Sequence, residues 1–139
     1  MFETLVVAVD NSPESDRAVE LARDLALMSS GAIQLVHVVE HVMAAGRAGG
    51  FDVEEHEDVA QALSREVDVL SQAGVEHSVS VVHAPVGHVA KEIVADAENS
   101  SADVIVMGSR GLSAVGAAVL GSTAYKVLHL SKRPVLVAR

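Results

Sequence analysis

The apolar pattern of this chain changes period repeatedly along its length, and that alternation restricts its fold more than any other feature. Short unbroken apolar runs, Leu5 to Val9 and Val104 to Met107 among them, have the make-up of strands buried on both faces. Between such runs stand stripes at three- and four-residue spacing, for example Ala18, Leu21, Ala22, Leu25 and Ala26, which mark helices with one face on a sheet. Strand-like and helix-like periods in alternation point to βαβ units and a parallel sheet.

The first strand stops at Asp10. Ser12 then supplies a cap, Pro13 suits a first helical turn, and Glu14 and Asp16 place negative charge at the positive end of a helix that Gly31 is expected to close. Ile33 to Val39 is a second strand. Residues 40 to 58, with Gly46, Gly49 and Gly50 among small and acidic residues, keep no period and read as a loop leading into a helix over about 55–73, closed by Gly74. Val75 to Val82 alternates as an edge strand would, and Pro85 starts a third helix striped by Val86, Val89, Ala90, Ile93, Val94 and Ala97. A helix over Ser122 to Leu130 and a strand over Pro134 to Ala138 complete the chain.

The expected architecture is α/β: one doubly wound parallel sheet of five strands with four helices, folded as a single domain over residues 1–139. The pattern leaves two strand orders open, 2-1-3-4-5 and 3-2-1-4-5. In the second, strands one and four are neighbours and the winding reverses between them, which places Asp10 and Gly108 at the crevice where such sheets bind ligands.

A net charge of −9 argues against a nucleic-acid partner, whose phosphates must first be neutralised. The charge is unevenly divided. All 19 acidic residues lie between Glu3 and Asp103, while residues 104–139 hold Arg110, Lys126, Lys132, Arg133 and Arg139 and no acid, so the last quarter can tolerate a polyphosphate. With no cysteine, thiolate chemistry and cysteine-ligated zinc are excluded. The seven histidines show no pairing on one helix face, and no metal site is expected from them. The chain opens on a strand without the basic and apolar regions of a signal peptide, and no apolar run reaches membrane-spanning length; a cytoplasmic protein with no membrane partner is expected.

From the end of the fourth strand the chain reads Met107-Gly108-Ser109-Arg110-Gly111, then nine residues, then Gly121-Ser122-Thr123. Glycine lets backbone approach a ligand, and a helix starting at Ser122 would offer unpaired N–H groups and two hydroxyls to phosphate oxygens. This is not a Walker A loop, because Ser122 stands where that motif requires lysine. It is not the dinucleotide fingerprint either, because the first strand runs into Asp10-Asn11-Ser12-Pro13. The alternative is that these glycines merely shape turns.

The spacing GxxG, nine residues, then Gly followed by Ser resembles the nucleotide-binding signature of universal stress proteins, filled here by Gly108, Gly111, Gly121 and Ser122. The opening Leu5 to Ser12, the Val36-His37-Val38 of the second strand and the closing Arg133-Pro134-Val135-Leu136-Val137 are also similar to that family's pattern, so the resemblance spans the chain. It implies strand order 3-2-1-4-5, bound ATP whose phosphates can carry Mg²⁺, and a homodimer paired through the last strand, Pro134 to Ala138. By position it implies that Ala8, Val9 and Asp10 lie against adenine and ribose and that Val38 offers backbone to the adenine edge. Met107, Gly108, Arg110 and Gly111 would line the ribose and inner phosphates, with Gly121, Ser122 and Thr123 on the outer ones. Asn11 departs from the family, which often has glycine there. A regulatory ATP-binding protein is the expected function. The alternatives are a slow ATPase or phosphotransferase working through Ser122 or Thr123 with Asp10 and Arg110, and a nucleotide-free dimerisation module.

Overall fold

The computed structural model describes residues 1–43, 50–52, 56–110 and 119–139. In chain order the elements are β1 (Thr4–Ala8), α1 (Pro13–Ser29), β2 (Ala32–Met43), β3 (Gly50–Asp52), α2 (His56–Gln72), β4 (His77–Pro85), α3 (Val89–Asn99), β5 (Val104–Gly108), α4 (Ser122–Leu130) and β6 (Val135–Ala138). The parallel strands lie in the order β4-β2-β1-β5-β6, which is the expected 3-2-1-4-5.

The sheet has a sixth strand where five were expected. Residues 40–43, read from sequence as loop, continue β2, and β3 returns antiparallel on that extension with His41 opposite Asp52 and Val42 opposite Phe51. Gly50 permits this close return, since a Cβ there would stand 2.2 Å from the Val42 carbonyl oxygen. Gly46 and Gly49 lie outside the described residues.

β1 is the centre of the core. Leu5, Val6 and Val7 are wholly buried between β2 and β5, each contributing about 1.5–3 kcal/mol of apolar burial. Strand alternation sends Leu5, Val7 and Val9 towards Ala18, Val19, Ala22 and Ala26 of α1 and Val59, Leu63 and Leu70 of α2. Val6 points the other way, towards Ala90, Ile93, Val94 and Ala97 of α3 and Ala124 and Val127 of α4. The result is helix, sheet and helix in three layers.

Two helix boundaries differ from the sequence reading. The left-handed cap of α1 is Ser30 (φ 54°), not Gly31; glycine is needed at 31 because a Cβ would collide with the Phe2 carbonyl oxygen at 2.0 Å. Pro85 ends β4 instead of starting α3, and Val86-Gly87 turns the chain, Gly87 at φ 89°, into a helix capped at His88.

At the junction of α1 and α2, Glu66 is 5% exposed and faces Asp16. Burial, then hydrogen bonding to Asp16, then the Asp16 charge, push the Glu66 carboxyl up to about 8 from an ordinary 4.5. The folded chain therefore holds this proton more tightly than the unfolded chain. The corresponding stability is complete below the unfolded value of 4.5 and is lost as pH rises through about 8. Glu66→Gln, which cannot ionise, should match the wild type near pH 4 and exceed it by on the order of 1 kcal/mol near pH 9 in urea denaturation. Equal losses in both chains over that range would remove Glu66 as the cause.

Candidate functional site

β1 and β5 run side by side from Leu5 opposite Val104 to Val7 opposite Val106, then part. The helix following β1 covers one face of the sheet and the helix following β5 covers the other, so a crevice opens beyond their carboxyl ends. Ala8, Val9 and Asp10 carry the chain out of β1 at this end, and Met107 and Gly108 end β5 beside it. The tail of β1 is tied to β2: Val9 N donates to Val36 O at 2.9 Å, and His37 Nδ1, 2% exposed, lies 2.6 Å from Val9 O. Val38, 7% exposed, lies two residues past Val36, at the same end of the sheet.

The turn after β1 is held by its own side chains. Asp10 Oδ1 accepts from Ser12 N at 3.1 Å and from Ser12 Oγ at 2.5 Å, while Ser12 Oγ caps α1 by accepting from Ser15 N at 3.1 Å. Asp10 N in turn donates to Ser15 Oγ at 3.2 Å. Asn11 adopts φ 64°, the left-handed conformation that explains a glycine preference here and that asparagine tolerates better than most residues. Its Oδ1 accepts from Arg65 of α2.

The glycine-rich segment is drawn together at its neck. Ser109 N donates to Ala138 O at 2.6 Å, and Gly121 N donates to Ser109 O at 2.7 Å, so the residues that open and close the segment are hydrogen-bonded to each other. Gly111 lies outside the described residues. Gly121, extended at φ −62°, ψ 153°, precedes Ser122 and brings no side chain to cap α4, unlike Ser12 at α1. The first-turn N–H groups of a helix lack intrahelical partners, and here they start beside the exposed Ser122 and the half-buried Thr123. That end of α4 suits an anion.

Gly108 lies under the first turn of α1, where a Cβ would stand 2.7 Å from Glu14 Cβ and 2.9 Å from the Glu14 carbonyl carbon. Arg110 Nη2 donates to Glu14 Oε1 at 3.2 Å. The structure thus assembles Ala8, Val9, Asp10, Met107, Gly108, Arg110, Gly121, Ser122 and Thr123 around one end of the sheet. Glu14, 96 residues from Arg110 in sequence, joins this group, though the sequence marks it solely as a helix-start charge.

The histidines are less scattered than their sequence positions suggest. His41 Nδ1 of β2 lies 3.1 Å from Asp52 Oδ1, His83 Nδ1 of β4 lies 3.6 Å from the same oxygen, and His56 Nε2 of α2 lies 4.0 Å from Asp52 Oδ2. The His41 hydrogen bond, aided by the charge of His83, holds the Asp52 carboxyl below its ordinary 3.8. No sequence signal marks the approach of His41 and His83 to Asp52, which strand register brings about, whereas His56 stands four residues after it in the chain. Among the described residues, no three histidine or acidic side chains are arranged to hold a metal ion, and no helix is long and apolar enough to cross a membrane.

A family model described as "Universal stress protein family" matches residues 1–139. Universal stress protein A homolog 2 of Coxiella burnetii is 34% identical over 99% of this chain and 95% of its own length. A universal stress protein of Mycolicibacterium smegmatis is 33% identical over 96% of this chain, which spans 47% of that relative. Among solved structures, a universal stress protein from Archaeoglobus fulgidus shares 25% identity over the whole of both chains with a TM-score of 0.75. A universal stress protein in complex with cAMP is 24% identical, covers 99% of this chain and 97% of that one, and has a TM-score of 0.74. The protein from A. fulgidus in complex with dAMP is 22% identical, covers 100% and 98%, and has a TM-score of 0.70.

Two consequences are measurable. Gly108→Ala should force α1 off β5 and lower stability by about 1–3 kcal/mol, read as a lowered urea midpoint, and an unchanged midpoint would show that α1 yields without cost. Asp52→Asn should speed amide exchange in β3 and at His41 and Val42. Because the folded carboxyl value is lowered, that contribution is present above the ordinary 3.8 and fades as pH falls through the lowered value, so the two chains should converge in acid.

Proposed function

This chain belongs to the universal stress protein family, and we propose that it is a regulatory protein that binds an adenine nucleotide, ATP foremost, in the crevice between β1 and β5. The observation that carries the reading is the neck of the glycine-rich segment. The bond from Gly121 to Ser109 sets the uncapped start of α4, with Ser122 and Thr123, beside the strand end that holds Gly108 and Arg110. Relatives of the same fold that bind cAMP and dAMP support an adenine-type ligand.

In this reading the chain at Ala8, Val9 and Asp10 lies against adenine and ribose, Val38 offers backbone to the adenine edge, and Asp10 can help hold a Mg²⁺ ion accompanying the phosphates. Met107 and Gly108 flank the ribose. Arg110 and Gly111 serve the inner phosphates, and Gly121, Ser122 and Thr123 the outer ones. The absence of acidic residues after Asp103 favours such a ligand at this end of the chain.

The site is suited to holding nucleotide more than to consuming it. Asp10 Oδ1 already accepts two hydrogen bonds from Ser12, so that oxygen is engaged in the turn and is poorly placed as a base for Ser122 or Thr123. Residues 1–139 would act as one nucleotide-binding domain in the cytoplasm. β6 pairs with β5 on one side, and its half-buried Val135, Leu136 and Val137 suit addition of a second copy along the other.

Ser122→Asp tests the site without sacrificing the fold. An acid at the N-terminus of α4 should add about 0.3–1 kcal/mol to helix stability while repelling phosphate. Titration calorimetry should therefore show ATP affinity falling at least about tenfold in a chain that melts no earlier than the wild type. Binding unaffected by Ser122→Asp, or a wild type that takes up no nucleotide at millimolar concentration, would refute the reading.

A further inference from the structure

Glu14 is placed at the crevice by packing as well as by charge. Its backbone and Cβ occupy the space that a side chain at 108 would need, so the first turn of α1 is seated on the end of β5. From that seat its carboxylate accepts from Arg110 Nη2 at 3.2 Å, with Glu14 14% and Arg110 27% exposed at the side chain. Arg110 follows Ser109, whose carbonyl accepts from Gly121 N, so the backbone that carries its guanidinium passes beside the start of α4. An anion entering the crevice meets a guanidinium already engaged by a carboxylate.

We propose that Glu14 is a built-in competitor for the nucleotide's phosphate: it holds Arg110 in the ligand-free chain and yields it to a phosphate oxygen on binding, which keeps affinity low and makes it depend on ligand charge. The inference rests on the nucleotide reading of the crevice. Guanidinium takes carboxylate and phosphate through the same forked N–H geometry, so the two compete for one set of donors. The triphosphate as a whole carries more charge than one carboxylate, which favours the exchange. The backbone of Glu14 cannot retreat, because α1 is packed on Gly108, so the displaced carboxylate stays within a side chain's length of the bound phosphate and its negative charge opposes it.

Calorimetry with ATP, AMP and adenosine on the wild type, Glu14→Gln, Arg110→Gln and the double variant separates the possibilities. Glu14→Gln should bind ATP roughly fivefold more tightly, AMP by a smaller factor, and adenosine as the wild type does. In the Arg110→Gln background the gain from Glu14→Gln should shrink by at least about half, since the contested donor is gone. Glu14→Asp, which withdraws the carboxylate by one methylene, should fall between wild type and Glu14→Gln, and melting curves identify any variant that has lost its fold. Four results would overturn the inference: an unchanged or weaker ATP affinity in Glu14→Gln, an equal gain for adenosine, a full gain that persists without Arg110, or a wild type that binds none of the three ligands. The last would also remove the nucleotide reading. A wild type that binds ATP while Glu14→Gln merely equals it removes this inference alone.

Discussion

The complete burial of Leu5, Val6 and Val7 is the constraint on which the rest of the structure depends. A strand with no exposed face must be paired on both edges and covered on both sides, and β1 meets that requirement with β2, β5 and two layers of helices. Because the helices after β1 and β5 cover opposite faces, the chain separates at the ends of those strands and leaves a crevice. The crevice is therefore a consequence of how the core is covered. The backbone at Val9, where the chain leaves β1, is fixed by the buried His37.

The two helix starts at this crevice are finished differently, and the contrast explains what each can do. α1 begins in a closed set of bonds among Asp10, Ser12 and Ser15 that leaves its turn satisfied from within. α4 begins at a glycine whose N–H is bonded to the Ser109 carbonyl, so its first turn has no capping side chain from Gly121. A satisfied turn gives a rigid wall, and an uncapped helix start gives a place for negative charge. Glu14, seated against Gly108, carries acidic charge into the same space and meets Arg110 there.

Charge placement recurs away from the crevice. Glu66 faces Asp16 between α1 and α2, where burial keeps the carboxyl protonated across most of the acid range. Asp52 has the opposite setting, surrounded by His41, His56 and His83, and its carboxyl is held ionised. Both groupings join elements far apart in sequence, the first between two helices and the second across β2, β3, β4 and the start of α2.

The sequence by itself determined most of the element types and, once its resemblance to a family was used, the parallel strand order. These depend on local information: apolar period, the cap at Ser12, the glycine spacing, and the unbroken run from Leu5 to Val9. Tertiary structure decided what needs two distant segments at once. Gly31 reads as a helix cap until Phe2 is found against it, and Pro85 reads as a helix start until β4 is paired along its length to β2. β3 was hidden because three residues carry too little period to register, and their pairing relies on the backbone approach that Gly50 allows. The Glu14–Arg110 pair and the approach of His41 and His83 to Asp52 were equally invisible in sequence, since hydrogen bonds between side chains follow from strand register and helix seating, which no spacing along the chain records.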